Sequence, residues 1–425
     1  MLFNFTAIQA LTIIALSVTV LPILIYGLSR IKTYHSEYVW VLPLVSALFF
    51  VCIDIEGKLV SGGNIRYIGT IMCLIVILAL KGSASVSNFS SVMKIAAYPL
   101  VTIAVAGSLF GRIYNEEQFG ALPIAIPMLI LLTKFPTIES HVSLKRSANL
   151  VIYLCMVITA ESSLVRLNVL PSSALLAFSH EKTFCMVLGL LLSIAVRSKR
   201  LAFTQSALIL GTFALYPAAT LPLGVIVGLL TLRYNKTLVK PFRLLSVALL
   251  FIFTVSSSIF SARTSLESLG AYFDIVGKSN NTSYRLSLVN AALKEISDRP
   301  IFGTLFKGSA TVRAYVLDNR NYQLPVHNDY ITFVLCGGLA SLALFLMMIL
   351  TLHFRIMLVY AQMSHDRSRI ISALMGSMYA LLASAFANPV LINPGNSTIF
   401  YAVVMTMIAL TPGKEKKPGE NSPRK

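Results

Sequence analysis

Apolar residues along this chain come in blocks of about 15–24, separated by short polar clusters, which is the pattern of helices that cross a bilayer. Leu11–Leu28, Val92–Phe110, Leu244–Phe260 and Ile331–Leu352 are four such blocks. Each can span only as a helix, because lipid offers no partner for free backbone groups. Repeated along the chain, the pattern predicts an all-α polytopic membrane protein with about 12–13 spans. The first span, from about Phe5 to Leu28, is longer than a signal-peptide core and follows no basic stretch, so no cleavable signal is expected. Leu201–Leu232 is interrupted by Tyr216-Pro217-Ala218-Ala219-Thr220. Proline breaks a helix, which predicts two short helices meeting at the outer face.

Composition agrees with this pattern. Of 425 residues, 56% are hydrophobic and 12% charged, roughly half the charged fraction of a soluble protein. The net charge of +18 would suit a nucleic-acid partner, but its placement points elsewhere. Polar connections near 29–37, 81–94, 134–147, 197–200, 233–243 and 353–369, with the tail after Pro412, hold 22 of the 35 Lys and Arg. The short connections on the opposite side hold five. That asymmetry is the positive-inside rule and puts the C-terminus in the cytoplasm. The charge therefore reports topology, and no nucleic-acid partner is expected. The five cysteines fall in or beside apolar spans without metal spacing. No metal or cofactor is expected.

The remaining eight Lys and Arg lie in one outward segment, from Arg263 to about Pro325. The chain thus divides into N-terminal spans (1–261), an outer loop (262–328), C-terminal spans (329–411) and a polar cytoplasmic tail (412–425). Within the loop, Ser283–Ile296 places Leu286, Val289, Leu293 and Ile296 on one face, which predicts an amphipathic helix. Asn281, Thr282 or Ser283 is expected to cap it, and Asp298-Arg299-Pro300 to end it. Gly303 and Gly308 mark turns. Arginine presents a planar fork suited to phosphate and diphosphate oxygens, and Arg263, Arg285, Arg299, Arg313 and Arg320 all stand here. His327 follows at the mouth of the next span, in Val326-His327-Asn328-Asp329-Tyr330. An imidazole with an ordinary pKa near 6.5 serves as a general base at neutral pH. A base and cationic forks beside a membrane are the parts needed to transfer a glycan from a lipid diphosphate. The plainer reading is a helix-end histidine and a basic surface that meets lipid headgroups.

Four short stretches carry a family likeness: Ser283-Tyr284-Arg285-Leu286, Ile296-Ser297-Asp298-Arg299-Pro300-Ile301-Phe302-Gly303, Val326-His327-Asn328-Asp329-Tyr330 and Cys336-Gly337-Gly338-Leu339-Ala340. Together they resemble the O-antigen ligase and polymerase superfamily, most strongly over about 240–350 and loosely, by span number and loop placement, elsewhere. The resemblance implies a metal-independent, inverting glycosyltransferase of the bacterial inner membrane, with its active face in the periplasm. The donor would be an undecaprenyl-diphosphate-linked glycan and the acceptor lipid A-core, or a further repeat unit in a polymerase. It implies His327 as the base, Arg285 and Arg263 as the diphosphate grip, and Asn328 as an orienting group. Relatives often carry an arginine at the outer turn between the two short helices, where this chain has Pro217-Ala218-Ala219-Thr220. Arg166 is the candidate substitute.

A flippase or transporter is the alternative from another class. Transporters gather ionisable groups near the bilayer midplane, whereas this chain concentrates its polar residues in one outer loop. His35, His141, His353 and His365 fall on the inner side and cannot share a site with His327.

Overall fold

The computed structural model describes residues 39–52, 68–79, 91–113, 122–132, 144–166, 181–215, 220–238, 279–306, 311–316, 320–326, 328–386 and 390–411. Apart from one hairpin, the regular structure among them is helical. A 3-10 turn at Val39–Val41 leads into α1 (Leu42–Cys52), followed by α2 (Ile68–Ala79), α3 (Ser91–Ile113), α4 (Leu122–Leu132) and α5 (Lys145–Arg166). Then come α6 (Glu181–Ala195), α7 (Lys199–Leu215), α8 (Thr220–Leu238) and α9 (Ser279–Asp298). The hairpin pairs β1 (Thr311–Val316) with β2 (Arg320–Pro325), and α10 (Asp329–Tyr360), α11 (His365–Ser384) and α12 (Pro394–Leu410) complete the chain. The blocks Val92–Phe110 and Ile331–Leu352 lie within α3 and α10. Helix α7 ends at Leu215 and α8 begins at Thr220, and the break expected at 216–219 lies outside the described residues. Leu11–Leu28 and Leu244–Phe260 lie outside the described residues. Among those residues one helix, α10, is long and apolar enough to cross a membrane.

The hairpin is a finding the apolar pattern did not predict. Its strands pair antiparallel, Thr311 opposite Pro325 and Val316 opposite Arg320. Thr-Val-Arg-Ala-Tyr-Val is short, β-branched and mixed in polarity, so it carries no helical period and only a faint alternating one.

Small residues line the crossing of α8 and α11. Gly224 and Gly228 on α8 form a small-xxx-small pair that meets Gly376 and Ala380 on α11. A Cβ built on Gly376 would stand 2.9 Å from the Gly228 carbonyl oxygen, and one on Gly224 lies 3.6 Å from the Ala380 Cβ. Such surfaces let backbones approach closely and gain dispersion contact. Gly376→Leu is therefore expected to cost about 1–3 kcal/mol through overpacking, visible as a lower melting temperature in detergent. An unchanged melting temperature would contradict this crossing.

Several buried hydroxyls are satisfied within their own helices. Thr159 donates to the Cys155 carbonyl at 2.7 Å, Ser193 to Gly189 at 2.6 Å, Ser377 to Ala373 at 3.0 Å and Thr406 to Ala402 at 2.7 Å. Back-bonding of this kind hides polar groups in an apolar setting. Between helices, Trp40 Nε1 donates to Ser147 Oγ at 2.8 Å, and the Thr70 and Thr398 hydroxyls meet at 2.5 Å.

The end of α6 closes as a Schellman motif. Arg197 takes the left-handed conformation (φ +57°), with Ser198 N–H bonded to the Ser193 carbonyl and Arg197 N–H to Ile194. Arg369 of α11 covers the Ile194 carbonyl through Nη2 at 2.6 Å, and the Arg197 guanidinium meets His365 Nε2.

Candidate functional site

Two of the positions read from the sequence, Asn328 and the backbone of Arg285, fall on elements that pack together, α10 and α9. Helix α9 begins at Ser279, so Asn281, Thr282 and Ser283 lie inside it and are not caps. Its buried stripe is also displaced from the one expected. Leu288, Val289 and Ala292 pack on Val326, Ile331 and Leu335, while Leu293 and Ile296 are only partly buried. Position 285 falls on this same stripe, one turn before Leu288 and Val289. The backbone carrying Arg285 is thereby fixed against the start of α10.

That start is heavily bonded. Asn328 is buried and caps α10, its Oδ1 accepting from Ile331 N–H at 3.1 Å. Thr332 Oγ1 donates back to the Asn328 carbonyl at 2.9 Å and to that of Val326 at 3.4 Å. Asp329 N–H donates to the Ala385 carbonyl at 2.9 Å. Tyr330 donates its hydroxyl to the Leu382 carbonyl at 2.8 Å and lays its ring on Phe386, centroids 4.5 Å apart. Residues 326 and 328 are thus both buried and held, so position 327 is flanked by fixed backbone. The Asn328 oxygen serves the helix cap, which leaves its amide N–H groups for any orienting role.

Two of the quoted stretches turn out to dock on each other. Helix α10 breaks at Gly338, which has φ +66° and ψ −176°. The break orphans the amides of Leu339 and Ala340 and the carbonyls of Leu335 and Cys336. A turn after α9, residues 299–306, answers all four. Leu339 N–H donates to the Pro300 carbonyl at 2.9 Å and Ala340 N–H to Ile301 at 3.1 Å. In return Thr304 N–H donates to the Leu335 carbonyl at 3.2 Å and Phe306 N–H to Cys336 at 2.7 Å. A kink in an apolar helix survives only with such replacement partners. Gly303, Leu305 and Phe306 all take left-handed conformations to make the fit, a local strain that the docking must offset. Gly107 of α3 lies against the Leu305 backbone and closes the other side. Helix α9 is thus tied to α10 twice, by its apolar stripe and by the turn at its end.

Of the sequence candidates, the structure places Asn328 fully, and Arg285 and Arg166 as backbone positions on α9 and α5. Arg166 is the last residue of α5. That helix packs chiefly on α1, α6 and α7, whereas α10 packs chiefly on α3 and α9, so Arg166 and Arg285 are not carried by neighbouring elements. His327 and Arg263 lie outside the described residues. Asp329, buried at the start of α10, was not singled out in the sequence, although an acid in the first turn of an apolar helix is itself a signal. Comparison with protein-family models and with curated proteins gives no match to this sequence.

Proposed function

We propose that this chain is a polytopic inner-membrane glycosyltransferase of the O-antigen ligase type. It would move an undecaprenyl-diphosphate-linked glycan onto lipid A-core at the periplasmic face. The observation that carries the reading is the double tie of α9, which bears Arg285, to α10, whose start lies just after His327: the apolar stripe meets Val326, Ile331 and Leu335, and the 299–306 turn docks at the Gly338 break. A base and a diphosphate grip need fixed relative placement, and the packing of α9 on Val326 and Ile331 supports such a placement. In the proposed step His327 takes the proton of an acceptor hydroxyl as its oxygen attacks the anomeric carbon. The bond from that carbon to the diphosphate oxygen breaks, its electron pair leaves with the diphosphate, and configuration inverts. Arg285 and Arg263 stabilise the charge that develops on the leaving oxygens.

Membrane placement has two supports. Large apolar side chains face outward on separate helices, among them Ile75 of α2, Ile95 of α3, Phe203 of α7, Ile226 of α8 and Leu358 of α10. A belt of this extent suits lipid better than water. In addition, the cross-helix contacts join segments that the charge count assigns to one side. Trp40 with Ser147 and Arg369 with Ile194 pair inner segments; Thr70 with Thr398 and Asp329 with Ala385 pair outer ones.

Deletion of the gene in the native host, read on a lipopolysaccharide gel, tests the function. Ligation predicts bare core with accumulated lipid-linked donor. Core bearing a single repeat would transfer the assignment to a polymerase, which uses the same donor. Normal glycan-bearing core would remove both. Arg285→Lys keeps charge but loses the bidentate fork, and kcat/KM should fall about tenfold. A wild-type value would take Arg285 out of the site.

A further inference from the structure

We infer that Asp329 is a positioning residue of this site, pinning the 390–393 connection across the mouth of α10 beside the backbone that carries His327. The inference rests on the glycosyltransferase reading and adds a residue to it. Asp329 is fully buried. A carboxylate in that setting is costly unless it is hydrogen-bonded. Its partners are not the free amides of its own helix, the usual use of an acid in a first turn. Instead Oδ2 accepts from two successive backbone N–H groups, Val390 at 2.6 Å and Leu391 at 2.5 Å. These lie 61 and 62 positions further along the chain, between α11 and α12. Oδ1 has no hydrogen-bond partner among the described residues.

One oxygen therefore holds the start of α10 to the connection that leads into α12. That connection is rigid on its far side as well. Asn393 caps α12 by accepting from Gly395 N–H at 2.9 Å, and Ser397 N–H returns to the Asn393 carbonyl at 2.9 Å. The Asp329 amide meanwhile grips the end of α11 through Ala385. Three helix ends converge on one residue, two positions after His327 and one after Asn328. Loss of the pin frees the connection and loosens residues 326–329 together. Substrate-binding groups on α9 stay where they are, because their tie to α10 runs through Leu288, Val289 and the 299–306 turn. The consequence falls on turnover and spares binding.

The test uses the full-length protein in liposomes, with polyprenyl-diphosphate-linked glycan as donor and lipid A-core as acceptor. Asp329→Ala should lower kcat about 100-fold, the effect of a small misplacement in a catalytic site. Both KM values should stay within about threefold of wild type. Asp329→Asn keeps an oxygen that accepts both N–H groups, and should retain kcat within about threefold. Full kcat in Asp329→Ala, or raised KM at unchanged kcat, would overturn the inference. So would an Asp329→Asn protein with wild-type melting but the deep kcat loss expected of alanine, and this arm decides the matter if the alanine protein fails to insert. His327→Ala, assayed alongside, separates the two levels. No transfer by the wild-type protein would end the glycosyltransferase reading; transfer by wild type but not by His327→Ala, with Asp329→Ala fully active, would remove only the positioning role.

Discussion

Replacing His327 with alanine is expected to lower glycan turnover by about 10²–10⁴-fold, the range that a positioned general base contributes, while the protein still inserts and melts normally. The loss should be in kcat, since the proton is taken only as the acceptor oxygen attacks. Binding of the lipid diphosphate, assigned to arginines on α9 and upstream of it, should persist. Stability should be spared because the buried groups on either side of position 327 bond to one another. Asn328 caps the helix, Thr332 reaches the Val326 and Asn328 carbonyls, and Asp329 holds Val390 and Leu391. Full turnover in the alanine protein would assign the base elsewhere.

The second large effect belongs to Gly338. A Cβ there would lie 2.0 Å from the Ile301 carbonyl oxygen, on a residue whose φ of +66° already disfavours any side chain. Gly338→Ala must therefore straighten α10 and expel the 299–306 turn. Four backbone hydrogen bonds are lost between the two segments. At about 0.5–1.5 kcal/mol each, they amount to roughly 2–6 kcal/mol, offset in part where the straightened helix regains its own bonds. The turn's carbonyls and the strained Leu305 and Phe306 then have no dock. Helix α9 keeps only its apolar stripe, and Arg285 loses its fixed distance from the start of α10. Transfer should fall by about 100-fold, with proteolysis appearing after Asp298. Normal activity in this variant would mean that the double tie is dispensable.

The regions legible in the sequence are those with local causes. Helices α3 and α10 follow from apolar length alone. Helix α9 was visible as an amphipathic pattern, but its true stripe runs through Leu288. Leu286, Leu288 and Val289 allow more than one stripe, and the choice is made by Val326 and Ile331, far along the chain. The same applies to the turn at Pro300 and the glycine pair at Gly338. The first was legible as a helix end and the second only as part of the family likeness, and only tertiary contact shows that one repairs the other. The role of Asp329 depends on amides about sixty positions away, and no local pattern encodes that. The hairpin at 311–325 was hidden because its strands are short and half polar.

Reconstitution tests the central claim most directly. Purified full-length protein in liposomes is supplied with undecaprenyl-diphosphate-linked glycan and lipid A-core, and both products are followed. The account predicts glycan-bearing lipid A-core and free undecaprenyl diphosphate in equal amounts, with neither formed by the His327→Ala protein. Donor that crosses the bilayer without cleavage would contradict it and make the chain a transporter.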